Sequence, residues 1–167
     1  MKALTFNPEN NQFIVAERPI PQPEGLDVLV DVEACGLNPV DAKIIYWKGA
    51  APGMDSNGVP GLDVSGRIAA LGKQVEDWQV GDRVLGLLAG GGYAERVAVH
   101  PQMLIRLPDS WEFTDGAAVP EVWLTAFSNF FMEGGLQADE KVLIHAGGSG
   151  VGTAGIQLCR AAKATVY

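Results

Sequence analysis

Cysteine, positive charge and long apolar runs are all in short supply in this chain, and each shortage removes a class of protein. Two cysteines, Cys35 and Cys159, stand far apart, which excludes a disulfide framework and suits a reducing, cytoplasmic setting. No apolar run approaches the roughly 20 residues that cross a bilayer. The start, Met1-Lys2-Ala3-Leu4-Thr5-Phe6, carries no long apolar core and no cleavage-like site, so neither a membrane partner nor a signal peptide is expected. Lysine and arginine number 12 against 20 acids, a net charge of −8. An acidic surface repels phosphate backbones, so nucleic acid is not the expected partner.

What is present is apolar and glycine-rich. Hydrophobic residues make up 47% and charged ones 19% of 167 residues, enough for a packed core. The 21 glycines fall at separate turns and form no low-complexity tract. Up to about Pro108 the pattern predicts short strands. Val28, Val30, Val32 and Ala34 alternate with the acids of 28–34, and further strands are predicted over 64–71, 83–88 and 93–99. Turns recur at Pro52-Gly53, Val80-Gly81-Asp82 and Gly90-Gly91-Gly92, giving a small barrel-like all-β domain. One helix interrupts it, with Asn38 as cap, Pro39 in the first helical position and Gly49 at its end.

After Pro108 the texture changes. A helix is predicted from Thr114 or Pro120 through Trp123, Phe127, Phe130 and Phe131, closed by Gly134-Gly135. Lys141 to Ala146 reads as a strand buried on both faces, and a helix follows from about Gly152 to Ala162. Ala164 to Tyr167 reads as the opening of a second, parallel strand. Between strand and helix lies Gly147-Gly148-Ser149-Gly150-Val151-Gly152. A turn in that place points backbone amides at a pyrophosphate and keeps side chains out of its way. Two registers compete: the literal G-x-G-x-x-G of Gly150 to Gly155, and G-x-S-x-x-G starting at Gly147. The second is preferred because the strand ends at Ala146, and the Ser149 hydroxyl could itself donate to a phosphate. The alternative reading of any such turn is tight helix-on-sheet packing.

Three further segments complete the pattern: Ala34-Cys35-Gly36-Leu37-Asn38-Pro39-Val40-Asp41, Pro60-Gly61-Leu62-Asp63-Val64-Ser65-Gly66 and Pro120-Glu121-Val122-Trp123-Leu124-Thr125-Ala126-Phe127. With Val80-Gly81-Asp82-Arg83-Val84 and the glycine turn, they resemble the medium-chain dehydrogenase/reductase superfamily, in its zinc-independent quinone oxidoreductase branch. The resemblance covers essentially the whole chain. It implies an α+β architecture: a GroES-like β-barrel domain over 1–113, a linking helical region over 114–139, and over 140–167 the first β-α-β of a Rossmann domain left incomplete. It also implies an active cleft between the two domains.

The resemblance implies hydride transfer from NADPH or NADH to a small quinone or enone, NADPH being favoured by the family alone. The residue that chooses between them stands about 20 positions past the first glycines, at or beyond Tyr167. No metal is expected. Where zinc-bearing relatives place a Cys and a His-Glu pair, this chain has Asn38, Leu62 and Asp63, and catalytic zinc wants three ligands drawn from Cys, His and carboxylate.

Asn38 and Asp41 are carried over as catalytic-cleft positions. Asn38, Thr125, Gly147, Ser149, Gly150, Val151 and Gly152 are carried over as cofactor-binding positions. Plainer readings stand beside them: Asn38 as a helix cap, Asp41 as a favourable charge in the first turn, Thr125 bonded back to its own helix. His145 reads as a satisfied core histidine, His100 as solvated, both cysteines as small buried hydrophobes, and Trp78 as a packing residue. The family's loop tyrosine is missing from Gly49-Ala50-Ala51-Pro52, and Tyr46 and Trp47 read as core or cleft wall. Two strands and one helix leave a sheet unfinished, so a homodimer or self-association through its edge is expected. The competing readings are a chain without activity and a non-catalytic scaffold.

Overall fold

The computed structural model describes residues 1–46 and 58–167. The chain forms two compact units, Met1–Ala118 and Val119–Tyr167. In the first, β1 (Lys2–Asn7) and β2 (Gln12–Glu17) make an antiparallel hairpin. They are followed by β3 (Val28–Cys35), α1 (Pro39–Tyr46), β4 (Asp63–Leu71), β5 (Arg83–Leu87), β6 (Arg96–Val99) and β7 (Leu104–Arg106). Five of these strands form an antiparallel sheet in the order β6-β3-β4-β5-β7. A short helix, α2 (Phe113–Ala117), closes the unit.

The period-two pattern of β3 does what alternation requires. Val28 and Val30 are fully buried and Val32 packs on the same cluster, while Glu33 faces water. Val64, Ile68, Val84, Leu88, Val97, Val99 and Leu104 complete that core from the neighbouring strands. Trp78 packs against its edge, as expected, with the Arg106 guanidinium over its ring at 4.5 Å. Each fully buried Val or Ile is worth about 1.5–3 kcal/mol of transfer free energy, so this cluster fixes the strand register.

Three features bring the strand ends together where the candidate site lies. The β3–β4 register shifts between Val32 and Ala34, and a bulge of this kind re-aims the end of the strand. The β1 strand docks on the segment before β6, with Leu4 N–H donating to Tyr93 O at 2.8 Å and Glu95 N–H donating to Lys2 O at 3.1 Å. Arg83 holds the turn before α2: Nη1 donates to Asp109 O at 2.9 Å, Nη2 donates to Trp111 O, and the guanidinium lies 4.8 Å from the Phe113 ring centre.

The second unit contains α3 (Pro120–Phe127), which runs into a π-helical turn over Ser128–Glu133, then β8 (Lys141–Val142), α4 (Gly150–Ala161) and β9 (Thr165–Val166). Of the two predicted starts, Thr114 or Pro120, the helix takes Pro120 and continues to its predicted close at Gly134, while Thr114 lies in the separate α2. Pro120 has no N–H to continue the ladder of α2 and occupies the first position of α3. The β8 and β9 strands are parallel, as the sequence pattern predicts. The strand predicted to be buried on both faces over Lys141–Ala146 is corrected. Only Lys141–Val142 pair as strand, and Leu143 and His145 are exposed, because one neighbour and one flanking helix cannot cover both faces. The end of α1 predicted at Gly49, and the loop 49–52, lie outside the described residues.

Ile68 is 1% exposed at the centre of the barrel core. Ile68→Ala is expected to destabilise by about 2–5 kcal/mol through lost transfer energy and a residual cavity. The check is urea unfolding, where the midpoint should fall at unchanged slope.

Candidate functional site

The first unit's site is built by three turns: 35–41 at the end of β3, 60–63 before β4, and 90–93 before β6. Asn38 and Pro39 open α1 as predicted, and Asp41 stands at its third position. There the Asp41 carboxylate reaches back, and Asn38 N–H donates to its Oδ2 at 2.7 Å. This is the backward half of a capping box, with aspartate in the position usually taken by Glu or Gln. The Asn38 side chain does something else: its Nδ2 donates to Asp63 Oδ2 at 2.8 Å. Asn38, Asp41 and Asp63 are 9%, 8% and 4% exposed, so their polar atoms meet each other in place of water.

Gly36 makes this approach possible. A Cβ at that position would sit 2.6 Å from Ala117 O and 2.8 Å from the Asp63 Cβ, closer than real Cβ contacts. The Gly36 N–H also donates to Asp63 O at 3.1 Å, tying the first turn to the second. The third turn supplies Tyr93. Its hydroxyl lies 2.5 Å from Asp41 Oδ2 and 3.0 Å from Gly36 O, and its single proton serves one acceptor at a time. Desolvation, then the hydrogen bond to Asp41 and its charge, push the phenol well above its usual pKa of 10.0. Asp41 Oδ1 is buried and accepts no hydrogen bond among the described residues.

Sequence reasoning reached Asn38 and Asp41, and reached Asp63 only as a position unfit for zinc. It missed Tyr93, which it read as the first residue of a strand. The signal that could have found it is a phenol beside Gly90-Gly91-Gly92, since a tyrosine hydroxyl that becomes enclosed needs a partner. An open groove of about 450 Å³ runs past Tyr93, with Val15, Val32, Ala34, Cys35 and Leu37 among its walls. Cys35 is exposed there, which corrects its reading as a small buried hydrophobe: it ends β3, beyond the barrel core. Desolvation and then the charge of Asp41 hold its thiol above the usual value. Cys159 is fully buried, as read.

At the positions where zinc-bearing relatives would hold metal, the residues do not fit zinc. Leu62 has no donor atom, the Asn38 amide is a poor ligand, and Asp63 Oδ2 already accepts from Asn38. Among the described residues no group of three or more His, Cys, Asp or Glu could hold a metal ion.

In the second unit the glycine turn leads from β8 into α4. Gly150 is the first helical residue, and Ser149 caps the helix by accepting from Gly152 N–H at 3.0 Å. Gly152 is glycine for packing, since a Cβ there would lie 2.4 Å from Ala146 O. The G-x-S-x-x-G register from Gly147 therefore places its last glycine where α4 closes on the turn at Ala146. Gly147 and Gly148 are different: a Cβ on the first would touch only Ile156 at 3.5 Å, and on the second nothing within 4 Å. Packing does not demand glycine at these two places. The turn just before the first residue of α4 is thus open at both positions, and a helix N-terminus of this kind is where a pyrophosphate can be met by backbone amides.

Thr125 lies on α3, and its hydroxyl donates to Glu121 Oε1 at 3.3 Å, not to the helix backbone. His145, read as a core histidine, is exposed, because the strand that would have buried it ends at Val142. His100, read as solvated, is half-buried and caps a short 3-10 turn, accepting from Gln102 N–H at 3.4 Å. Trp47 and the side chain of Tyr46 lie outside the described residues.

The family described as alcohol dehydrogenase GroES-like domain matches residues 24–109. The chain is 32% identical over 149 residues to the mouse (Mus musculus) synaptic vesicle membrane protein VAT-1 homolog-like, covering 89% of this chain and 36% of that protein. It is 38% identical over 146 residues to a quinone oxidoreductase of Lama guanicoe, covering 85% of this chain and 43% of that protein. Among solved structures, an alcohol dehydrogenase superfamily protein from Novosphingobium aromaticivorans superposes with a TM-score of 0.91 at 32% identity, over 100% of this chain and 52% of that one. A mycobacterial protein complexed with NADPH superposes with a TM-score of 0.82 at 26% identity, over 99% of this chain and 52% of that one. The chain thus spans about half the length of the solved structures, and less of the curated relatives.

The raised phenol pKa carries a sign. The folded Tyr93 keeps its proton where the unfolded one loses it, so its contribution is complete below about pH 10 and is lost as pH rises beyond that. Tyr93→Phe is expected to cost about 1 kcal/mol near neutrality and to flatten the alkaline decline in stability. Denaturant unfolding at a series of pH values checks both; an unchanged alkaline slope would rule out this role for the phenol.

Proposed function

From the premise that the chain belongs to the medium-chain dehydrogenase/reductase superfamily, in its quinone oxidoreductase-like branch, we propose that it serves a zinc-independent, NAD(P)H-dependent reduction of quinones or enones. The observation that supports this reading is the Asn38–Asp63 hydrogen bond, made by two residues that stand, by the family resemblance, where zinc-bearing relatives carry ligands. Without a Lewis acid, polarity must come from fixed dipoles and from an acceptor that is already electron-poor. Quinones and conjugated enones meet that condition; simple alcohols do not. The apolar walls of the groove beside Tyr93 suit a flat, uncharged acceptor.

A bound nicotinamide dinucleotide supplies the hydride. The chain's own part is to hold and orient it. The open positions Gly147 and Gly148 leave room for a pyrophosphate, and Gly150 and Val151, the first two residues of α4, are the amides assigned to it. The Ser149 oxygen is engaged with Gly152 N–H, which leaves the hydroxyl proton to donate to a phosphate oxygen. Thr125 and Asn38 are assigned to the cofactor as well, and Asp41 holds Asn38 from the helix side. Tyr93, which keeps its proton and directs it at Asp41, is a positioning residue. NADPH is favoured over NADH by family resemblance, to which the NADPH complex of one structural neighbour adds support.

A second reading is that these 167 residues alone do not turn over. It is favoured by the two-stranded sheet β8–β9, which leaves Leu143 and Tyr167 68% and 67% exposed. Titration with NADPH, followed by cofactor fluorescence, separates the two. Saturable micromolar binding, with loss of NADPH absorbance on adding a simple quinone, supports the reductase. Binding without turnover on any quinone or enone favours a scaffold, and no binding favours an inactive polypeptide.

The same exposed strand edge leads us to propose that the 167-residue polypeptide self-associates as a homodimer or larger species. Sedimentation velocity is expected to show a concentration-dependent shift above the monomer, and a single monomeric boundary at all concentrations would contradict it. Two free thiols suit the cytoplasm, the location we propose. No helix of the described residues is long and apolar enough to cross a membrane.

A further inference from the structure

Acids outnumber bases in this chain by 20 to 12, yet one cavity of the first unit is lined by two arginines and, among the described residues, by no acid. It measures about 340 Å³, within the range of small-molecule sites. Arg18 follows β2 and Arg96 opens β6, so the two come from segments far apart in sequence. Pro19, Pro21, Val59 and Val97 supply apolar walls.

The two guanidinium groups are not used up by the fold. Asp31 stands opposite Arg96 across β3 and β6 and accepts from its Nε at 2.6 Å. That bond holds the side chain by one edge and leaves both Nη groups without a partner among the described residues. The Arg18 side chain makes no hydrogen bond, ion pair or ring contact among the described residues, although the residue is half-buried. The Met1 amine in the same wall donates to Arg18 O at 2.9 Å and faces Glu17 at 3.4 Å, so its charge is already met. The walls are also stiff. Both prolines have a fixed φ, Arg18 N–H donates to Met1 O at 2.8 Å, and Gly91 N–H donates to Val59 O at 2.9 Å. A half-buried guanidinium without an acceptor gives up hydration and gains nothing in return.

We infer that this cavity binds a compact carboxylate with an apolar body, held by Arg18 and Arg96. A carboxylate offers two oxygens, which suits two guanidinium forks. A free phosphate fits less well, because the side chains of the proline and valine walls have no donor for its further oxygens and would strip them of water. The site includes none of Asn38, Asp41, Asp63 or Tyr93, and it needs no cofactor.

The probe is benzoate, titrated into the 167-residue chain and followed by NMR. Saturable shifts are expected at the Nε–H of Arg18 and Arg96 and at the methyl groups of Val59 and Val97. Benzamide, of the same shape but uncharged, should produce none, and inorganic phosphate should bind about tenfold more weakly than benzoate. Benzoate shifts that fail to saturate or fall elsewhere would overturn the site, and equal binding of benzamide or phosphate would overturn the carboxylate. Arg18→Gln removes a charge that no internal contact uses, so the thermal midpoint should hold. Its benzoate affinity should fall about tenfold, the scale of one hydrogen bond to a charged group. Lys73→Gln, on the exposed turn after β4, removes the same net charge and should leave the affinity unchanged. An equal loss in both variants, or no loss in Arg18→Gln, would refute the assignment. Should Arg18→Gln lower the midpoint, the shifts in the unaltered chain still decide.

Discussion

Burying a carboxylate costs several kcal/mol unless donors surround it, and the first unit buries two of them side by side. Asn38 serves both, giving its backbone N–H to Asp41 and its side-chain nitrogen to Asp63. Tyr93 gives its hydroxyl to Asp41 from a third stretch of chain. The contacts of Asp63 and Tyr93 do not form unless three turns, far apart in sequence, arrive together. What brings them together is the barrel core. Val28, Val30, Val64, Ile68, Val84, Val97 and Val99 interlock β3, β4, β5 and β6 in one register. A slip of one residue would turn that apolar set outward and separate the donors from their carboxylates.

The arrangement also bears on the proposed reading of a site that works without a metal. A Lewis acid acts by charge and tolerates some freedom in its surroundings, whereas hydrogen bonds act by direction and need side chains that do not move. Here the direction is built in before any ligand arrives. Asn38 is fixed at both backbone and side chain, the Tyr93 phenol keeps its proton well past its usual range, and Gly36 lets the backbone close on Asp63. Little reorganisation is left for the moment of binding.

The second unit follows a different logic. Its glycine turn is local: Ser149 caps the helix three residues ahead, and Gly152 packs on Ala146 only six residues back. Such a turn forms from its own sequence. The sheet it starts from is not local, since a parallel strand needs neighbours from later crossovers to be covered on both faces. With β9 as the one partner of β8 among the described residues, the segment 142–146 stays in part open to water.

Features written in short-range patterns were therefore legible in the sequence: the alternation of β3, the Asn38-Pro39 start of α1, the glycine turn, the parallel pair at 142 and 166, and through their order the superfamily. All but the parallel pair depend on residues a few positions apart, where backbone stereochemistry decides the outcome, and the pair follows from the order strand, glycine turn, helix, strand. The tertiary structure alone decided the rest. It placed Tyr93 against Asp41 across 52 positions and Asp63 against Asn38 across 25, exposed Cys35 and His145, and set the direction of the Asn38 amide. Such contacts come from the closing of a barrel, in which sequence distance carries no information and only the register of packed strands determines which polar groups meet.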